Sequence, residues 1–573
     1  MEFWYLTDIS RLSNERNEMQ RLEESSTWLK GTEWRIESRL VVRAIIMAHE
    51  QIYELQLTYP DFFPATPPFI SPVNTDDRWS EHQYSNGTLC LEWGPDNWHP
   101  DVTGAQMFES AYKLLNAENP LGESTTKAMV PSRHFLTPGQ SIRGEGWRFH
   151  MTKPILNYLS VYEEKTVGQV TMKYVVSTGK IVYHAVQINQ FINEQLPAPF
   201  KNGYSKEQWI IYRTTAPTKS ISGVKKTKEL FDVIKTYDGY ELKLSEDENG
   251  EMTKGIILID KESISHFFYF FEESIHEVVI VMDDIPNKRI PDSCLEMIGK
   301  RFAIIGLGSV GSKVAESLCR MGATTFYLVD EDLFLLGNLE RHTLDWRDLG
   351  LHKVDAIAQR MRYISSSVDI KTSRLNLNGQ ESNASLNGVL VEISNCDVII
   401  DATANGQVFN LLASIATTKQ KPIIWTEVYA GGIGGLIARS RPILDPKPHI
   451  MRQAYQEFAS SSPPFEFSEP IPYAHENEAG QVFIASDADV SVIASHMTRF
   501  VVDTIVAPEK SIFPYSMYVI GLTKGWIFSQ PFDTKPIQTE HLLSDDGSTI
   551  VVDEATKADH ISFLINLLEK SDD

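Results

Sequence analysis

Residues 302–330 lay out an order that few folds accept. An apolar run (Phe-Ala-Ile-Ile, 302–305) opens into Gly306-Leu307-Gly308-Ser309-Val310-Gly311. A helix-like stretch then runs to Arg320, a second apolar run covers 325–329, and Asp330 follows. Strand, glycine turn, helix, strand and acid, in that order, make a nucleotide-binding βαβ unit. Gly306, Gly308 and Gly311 let backbone N–H groups come close to phosphate, and the helix N-terminus favours its negative charge. Asp330, with Asp332 just beyond it, is placed to accept hydrogen bonds from a ribose.

The glycine pattern alone is weak, but more follows it. Asn338-Leu339-Glu340-Arg341 comes next, then Lys353, then the apolar strand Val398-Ile399-Ile400 ending in Asp401-Ala402-Thr403-Ala404-Asn405. A nicotinamide-dependent oxidoreductase has no need of Asn, Arg, Lys and a strand-end Asp around its phosphates. An enzyme that splits ATP between its α and β phosphates does: Arg341 and Lys353 would neutralise the leaving pyrophosphate. Asp401 would hold Mg²⁺, which binds through one or two carboxylates plus phosphate oxygens. Over residues 297–504 the order and spacing resemble the adenylation domain of the E1/ThiF/MoeB family. That resemblance implies ATP-dependent activation of a C-terminal glycine carboxylate. The alternative is a Rossmann-like core that binds another nucleotide.

At 573 residues the chain exceeds one hydrophobic core, and about two to four domains are expected. Its 42% hydrophobic content indicates folded material throughout. No apolar stretch approaches the roughly 20 residues of a membrane span, and the charged N-terminus is unlike a secretory signal. A net charge of −23 argues against non-specific nucleic-acid binding, which depends on neutralising phosphates. The four cysteines, Cys90, Cys294, Cys319 and Cys396, are scattered and include no CxxC pair. They fit a reducing cytoplasm and cannot build a four-cysteine zinc site.

The second informative region is upstream. Residues 53–59 alternate apolar and polar, as a half-buried strand does. They lead into Pro60-Asp61-Phe62-Phe63-Pro64-Ala65-Thr66-Pro67-Pro68, then Asn86-Gly87-Thr88-Leu89-Cys90-Leu91, then Trp98-His99-Pro100. A segment of helical period follows at 103–115 and closes on Asn119-Pro120-Leu121. These landmarks, in this order over residues 1–135, resemble the α+β fold of ubiquitin-conjugating (E2) enzymes. The resemblance implies that Cys90 carries a ubiquitin-like protein as a thioester. Read without it, Cys90 is a small buried hydrophobe. His82 stands where that family has an asparagine. It could donate to an oxyanion, deprotonate an attacking lysine, or be an ordinary surface histidine.

Strand-like runs at 168–176, 180–188, 209–214, 255–259 and 278–282, with polar turns such as 245–250, make the middle a mixed α/β spacer. The tail carries a short amphipathic helix at 558–570, expected to pack, and an acidic end, Ser571-Asp572-Asp573, unlike a di-glycine tag. E1 enzymes that form thioesters keep a cysteine after the Mg²⁺-binding acid, in a region that here spans 464–491. Ala485, at a helix entrance that would favour a thiolate, occupies the position. Three readings follow: an engineered Cys→Ala variant, a hydroxyl such as Ser486 in place of the thiol, or direct passage of the acyl group to Cys90. The first is favoured, because the rest of both sites is intact.

The expected architecture is therefore a multidomain α/β chain. An E2-like domain covers 1–135, a linker domain 136–291, a Rossmann-like adenylation domain 292–545 and a tail 546–573. This order resembles the E2–E1 fusion proteins of bacterial CBASS antiphage operons. The resemblance implies cytoplasmic conjugation of a cyclic-nucleotide synthase (CD-NTase), through its C-terminal glycine, to target lysines, reversed by a JAB-type isopeptidase. It also implies a homodimer using ATP and Mg²⁺. Rival readings are a ThiF/MoeB-type adenylyltransferase of cofactor or peptide maturation and a degenerate scaffold.

Overall fold

The structure, a computed structural model, describes residues 3–80, 82–84, 86–123, 137–203, 205–244, 246, 250, 252–282, 289–463, 474–476, 482–543 and 553–569. The boundary expected at 135/136, most of the turn at 245–250, most of 464–481 and the acidic end 571–573 lie outside the described residues. The chain divides into two compact units, Met1–Arg143 and Gly144–Asp573.

In the first unit, helix α1 (Ile9–Ser25) precedes strands β1 (Leu29–Ile36), β2 (Leu40–Ala48), β3 (Gln51–Thr58) and β4 (Phe69–Pro72). They pair in sequence order as an antiparallel sheet. The alternation read in β3 puts Tyr53, Leu55 and Leu57 fully inside. Helix α2 (Gly104–Glu118) starts at Thr103, whose hydroxyl accepts from the Gln106 N–H while the Gln106 side chain accepts from the Thr103 N–H. This reciprocal cap satisfies two amide donors at the helix start. Met107, Phe108, Ala111 and Leu115 then face the sheet. Glu15 is fully buried. Its carboxylate accepts from Arg11 Nε (2.9 Å), the Tyr59 hydroxyl (2.7 Å) and the Gly104 N–H (2.7 Å). A buried charge is tolerable when so fully bonded, and this one ties α1 to the start of α2.

The second unit holds two sheets. The first contains β5 (Trp147–Met151), β6 (Val167–Ser177), β7 (Lys180–Ile188), β8 (Lys206–Arg213), β9 (Gly255–Ile259), β10 (Ser265–Phe271), β11 (Ser274–Glu277) and β12 (Val279–Met282). Their order is β11-β10-β9-β8-β6-β7-β5-β12, with Phe191–Ile192 pairing on β7. Each of the five apolar runs read in the middle of the sequence forms one of these strands. Helix α3 (Thr227–Asp238) covers one face with Leu230 and Ile234.

The second sheet starts at β13 (Arg301–Ile305) and alternates with helices: α4 (Ser309–Arg320), β14 (Thr325–Val329), α5 (Lys353–Ile364), β15 (Asp369–Ser373), β16 (Val398–Asp401), α6 (Gly406–Lys419), β17 (Ile423–Val428). Then come β18 (Gly434–Ser440), α7 (Asp487–Val506), β19 (Met517–Gly521) and β20 (Thr534–Pro536). The order is β15-β14-β13-β16-β17-β18-β19-β20. The first five of these are parallel and the last three join antiparallel. Helices α4, α5 and α7 pack on one face, and α6 on the other. Between β13 and β16 the winding reverses, and the crevice beyond the strand ends there is the usual ligand site of such sheets.

The last helix, α8, runs Glu554–Glu569. Its residues 554–565 are exposed, among them Ile561, Phe563, Leu564 and Ile565. The expectation that it packs against the body is corrected for these residues: Ile561, Phe563, Leu564 and Ile565 meet no covering element among the described residues. No described helix is long and apolar enough to cross a membrane.

Candidate active sites of the two units

The carboxyl ends of β13, β14 and β16 border a cavity of about 690 Å³, within the usual size of a small-molecule site. Its lining includes Gly306, Gly308, Asp330, Asp332, Asn338, Arg341, His342, Lys353, Thr403 and Asn405. Seven of the residues singled out in the sequence thus meet in one place. Gly306 has φ +83°, and a Cβ there would meet Thr403 Cγ2 at 2.9 Å. A Cβ at Gly311 would collide with the Gly306 carbonyl oxygen. At Gly308 a Cβ would find nothing within 4 Å, so that position keeps the approach to the cavity open.

The turn is held from behind. The Leu307 N–H donates to Asp330 Oδ2 (2.6 Å), and the Leu307 carbonyl accepts from His342 Nε2 (2.7 Å). His342 Nδ1 accepts from the Leu344 N–H (3.1 Å), which sets the tautomer with the proton on Nε2. Asp330 Oδ1 accepts from the Asp332 N–H (2.9 Å). So Asp330, expected at a ribose, lines the cavity but spends both oxygens on backbone amides. Its burial raises its pKa, opposed by the Leu307 amide and the charge of Lys353. Lys353, at the start of α5, donates to Asp332 Oδ2 (2.7 Å). Arg341 Nη1 donates to the Ala485 carbonyl (3.2 Å). Asn338 Oδ1 accepts from the Leu335 N–H (2.8 Å), closing the turn that carries Arg341.

His342 was not anticipated, because its partner peptide lies far away in sequence. Burial depresses its pKa from 6.5 to about 4, so it is neutral at pH 7. The unfolded chain binds the proton more readily than the folded one between those values. Its contribution is complete above pH 6.5 and is lost as pH falls toward 4, about 3 kcal/mol in all. His184, also depressed to about 4 by burial, acts in the same window. Comparing thermal unfolding of the parent and His342→Gln between pH 7 and 4 isolates the first group. The variant should show the shallower acid-side slope; equal slopes would discount His342.

Asp401, the residue expected to hold Mg²⁺, is 3% exposed. Its Oδ1 accepts from the Thr403 N–H (3.0 Å) and hydroxyl (2.6 Å). Burial raises its pKa, opposed chiefly by those bonds. The cavity wall at this strand end is made by Ala402, Thr403 and Asn405, and the carboxylates that line the cavity are Asp330, Glu331 and Asp332. Asp401 therefore stands at the strand end beside this wall, with Oδ1 engaged by Thr403. Among the described residues no group of three or more His, Cys, Asp or Glu is arranged to hold a metal.

Ala485, read as a displaced thiol position, is fully buried. Ser486 caps α7, donating to Asp489 Oδ2 (2.7 Å) and accepting from the Asp489 N–H (3.3 Å). Ala485 thus offers no exposed side chain, whereas the Ser486 hydroxyl is exposed and bonded to Asp489. Cys294, Cys319 and Cys396 are buried, and burial pushes the last two thiols up to about 11. Cys90 alone of the four is partly exposed. It lies in the first unit, where its N–H donates to the His82 carbonyl (2.7 Å), and the Tyr84 hydroxyl donates to its sulfur (3.6 Å).

A doubly wound sheet with a glycine turn, Arg341 and Lys353 at its switch point defines a nucleotide-type domain. Residues 290–460 match the model of the ThiF family, and that part of the chain is a ThiF-family domain. Among whole proteins, the chain is similar to the ATP-dependent ubiquitin transferase-like protein Cap2 of Enterobacter hormaechei subsp. hoffmannii (strain UCI 50). Identity is 29% over 223 residues, 38% of this chain and 34% of Cap2. It thus matches about a third of that relative's length. The uncharacterized protein y4qC of Sinorhizobium fredii is 24% identical over 443 residues, 68% of this chain and 70% of that protein. A solved structure of E. coli MccB with succinimide overlaps 44% of this chain and 68% of its own, at 14% identity and a TM-score of 0.33.

Proposed function

We propose that the chain activates the C-terminal carboxylate of a partner protein with ATP and passes the acyl group to Cys90 for transfer to an amine. The observation that carries this reading is the convergence of Gly306, Gly308, Arg341 and Lys353 on one cavity at the sheet's switch point. The carboxylate oxygen attacks the α-phosphorus, and the bond to the bridging oxygen of pyrophosphate breaks. Arg341 and Lys353 neutralise the charge gathering on the leaving group. The similarity to Cap2, an ATP-dependent ubiquitin transferase-like protein, supports the same chemistry here. With Ala485 buried and three of the four thiols buried, the acyl-adenylate is taken up by Cys90 itself. Joining carrier and activator in one chain makes that step intramolecular. Under this reading the partner is a cyclic-nucleotide synthase ending in glycine, the acceptors are lysine amines, a JAB-type isopeptidase reverses the product, and the enzyme is a cytoplasmic homodimer.

ATP–pyrophosphate exchange tests the activation step. It should appear only when a synthase with an intact C-terminal glycine is added, and fall about 10²-fold in Arg341→Ala or Lys353→Ala. An ATP-bound parent chain that supports no exchange with such a partner would overturn the proposal.

A further inference from the structure

The sulfur of Cys90 sits in a cluster that the glycine-loop chemistry leaves unused. Gln83 and Leu89 form an antiparallel bridge, flanked by the bonds Cys90 N–H to His82 carbonyl (2.7 Å) and Tyr84 N–H to Thr88 carbonyl (2.8 Å). His82 therefore stands directly opposite Cys90. Such cross-strand pairs share a face with Cβ atoms about 4.5–5.5 Å apart. Tyr84 is on the same face, one diagonal away, which is how its hydroxyl reaches the sulfur.

Behind His82 stands Glu118, the last residue of α2, followed by Asn119 in the left-handed conformation with φ +47°. The chain turns there, and Glu118 stays inside at 4% exposure. Its Oε1 is 2.6 Å from His82 Nδ1. His82 Nε2 and Glu118 Oε2 are both shielded from water and have no hydrogen-bond partner among the described residues. Buried polar atoms left unpaired are uncommon in folded proteins, and here two of them belong to one His–Glu pair beside a thiol.

We infer that His82, oriented by Glu118, accepts the proton of the amine that attacks an acyl group on Cys90, while Tyr84 donates a hydrogen bond to the departing sulfur. This rests on the reading of Cys90 as acyl carrier and assigns the proton path of its transfer step. The amine nitrogen bonds to the thioester carbonyl carbon, and its N–H proton passes to His82 Nε2. The C–S bond breaks with its electron pair on sulfur, and the imidazolium returns the proton to Sγ. An amide and a free thiol result. Glu118 is a positioning residue: it holds the ring with Nε2 directed away from itself and stabilises the imidazolium that forms. Burial and the contact with sulfur push the Tyr84 phenol up to about 12, the sulfur contact being the larger cause. It is therefore a protonated donor at neutral pH. Among the described residues, the titratable groups around His82 are Glu118, Cys90 and Tyr84, with Tyr53 of β3 next to Glu118 and Asp96 next to Tyr84.

The test uses the full chain and a short peptide ending in Gly-Gly, supplied as its 2-mercaptoethanesulfonate thioester. Acylation of Cys90 is read as added mass that a Cys90→Ala control lacks. Discharge from equal amounts of acylated protein to Nα-acetyl-lysine is then followed from pH 5.5 to 9. His82→Gln should discharge about 10²-fold more slowly than the parent and lose the pH inflection. Glu118→Gln should discharge about tenfold more slowly with the inflection moved to lower pH, since the imidazolium loses its counter-charge. Glu118→Asp, which keeps the charge, should retain the parent inflection; a merely structural role would move rates without moving the inflection. Parent-like rates in His82→Gln, or a Glu118→Gln profile that superimposes on the parent, would overturn the inference and leave the acyl-carrier reading standing. A parent chain that takes no acyl group at Cys90 would remove both.

Discussion

A Gly311→Ala variant is expected to lose ATP binding outright and about 3 kcal/mol of stability, the upper end for overpacking. The new methyl group would collide with the Gly306 carbonyl oxygen and lie 2.9 Å from its carbon. Both are backbone atoms in the turn that faces the cavity, so no side chain can swing aside to make room. Either α4 moves off the turn or the turn opens, and each change takes the amide groups out of reach of phosphate. Gly308→Ala is the contrasting case. Its φ of −70° suits any residue, and its methyl group would meet nothing in the protein. It should unfold like the parent yet bind ATP more weakly, because the methyl group points into the ligand's space. Calorimetric titration with ATP alongside denaturant unfolding separates the two. Parent-like ATP affinity in Gly311→Ala would show that the turn is not the phosphate site.

Cys90→Ser is expected to convert the thiol-labile acyl adduct into one that survives thiol treatment, and Cys90→Ala to abolish any adduct. Both should retain partner-dependent ATP–pyrophosphate exchange. Access singles out Cys90: three thiols are buried, while this fourth is partly exposed with a phenol donating to it. A serine ester resists thiols that cleave a thioester, so electrophoresis with and without reductant distinguishes the forms. An adduct persisting in Cys90→Ala would assign the carrier role to another residue.

How far the sequence could be read follows from which contacts are local. The glycine turn and its flanking strands were legible because a βαβ unit writes its requirements within a short stretch. The five strand runs of the middle segment were legible for the same reason. Arg341 and Lys353 followed from residue type and order. What pattern could not supply was direction and distant pairing. Asp401 was read as a Mg²⁺ ligand from its place at a strand end, and what order alone did not give was that Thr403, two residues on, engages its Oδ1. His342 was passed over because its partner Leu307 is remote in the chain. Glu118 was passed over because only the fold carries the end of α2 to His82. The amphipathic helix read at 558–570 was expected to pack, but an amphipathic pattern says nothing of whether a partner surface lies beneath Ile561, Phe563, Leu564 and Ile565.

The peptide at Leu307, gripped on its nitrogen side by a carboxylate and on its oxygen side by an imidazole, has a consequence for affinity. A segment already fixed in its working orientation loses little conformational freedom when a ligand arrives, so more of the contact energy remains as binding. Loosening either grip should therefore weaken affinity through entropy, with the calorimetric enthalpy of association little changed.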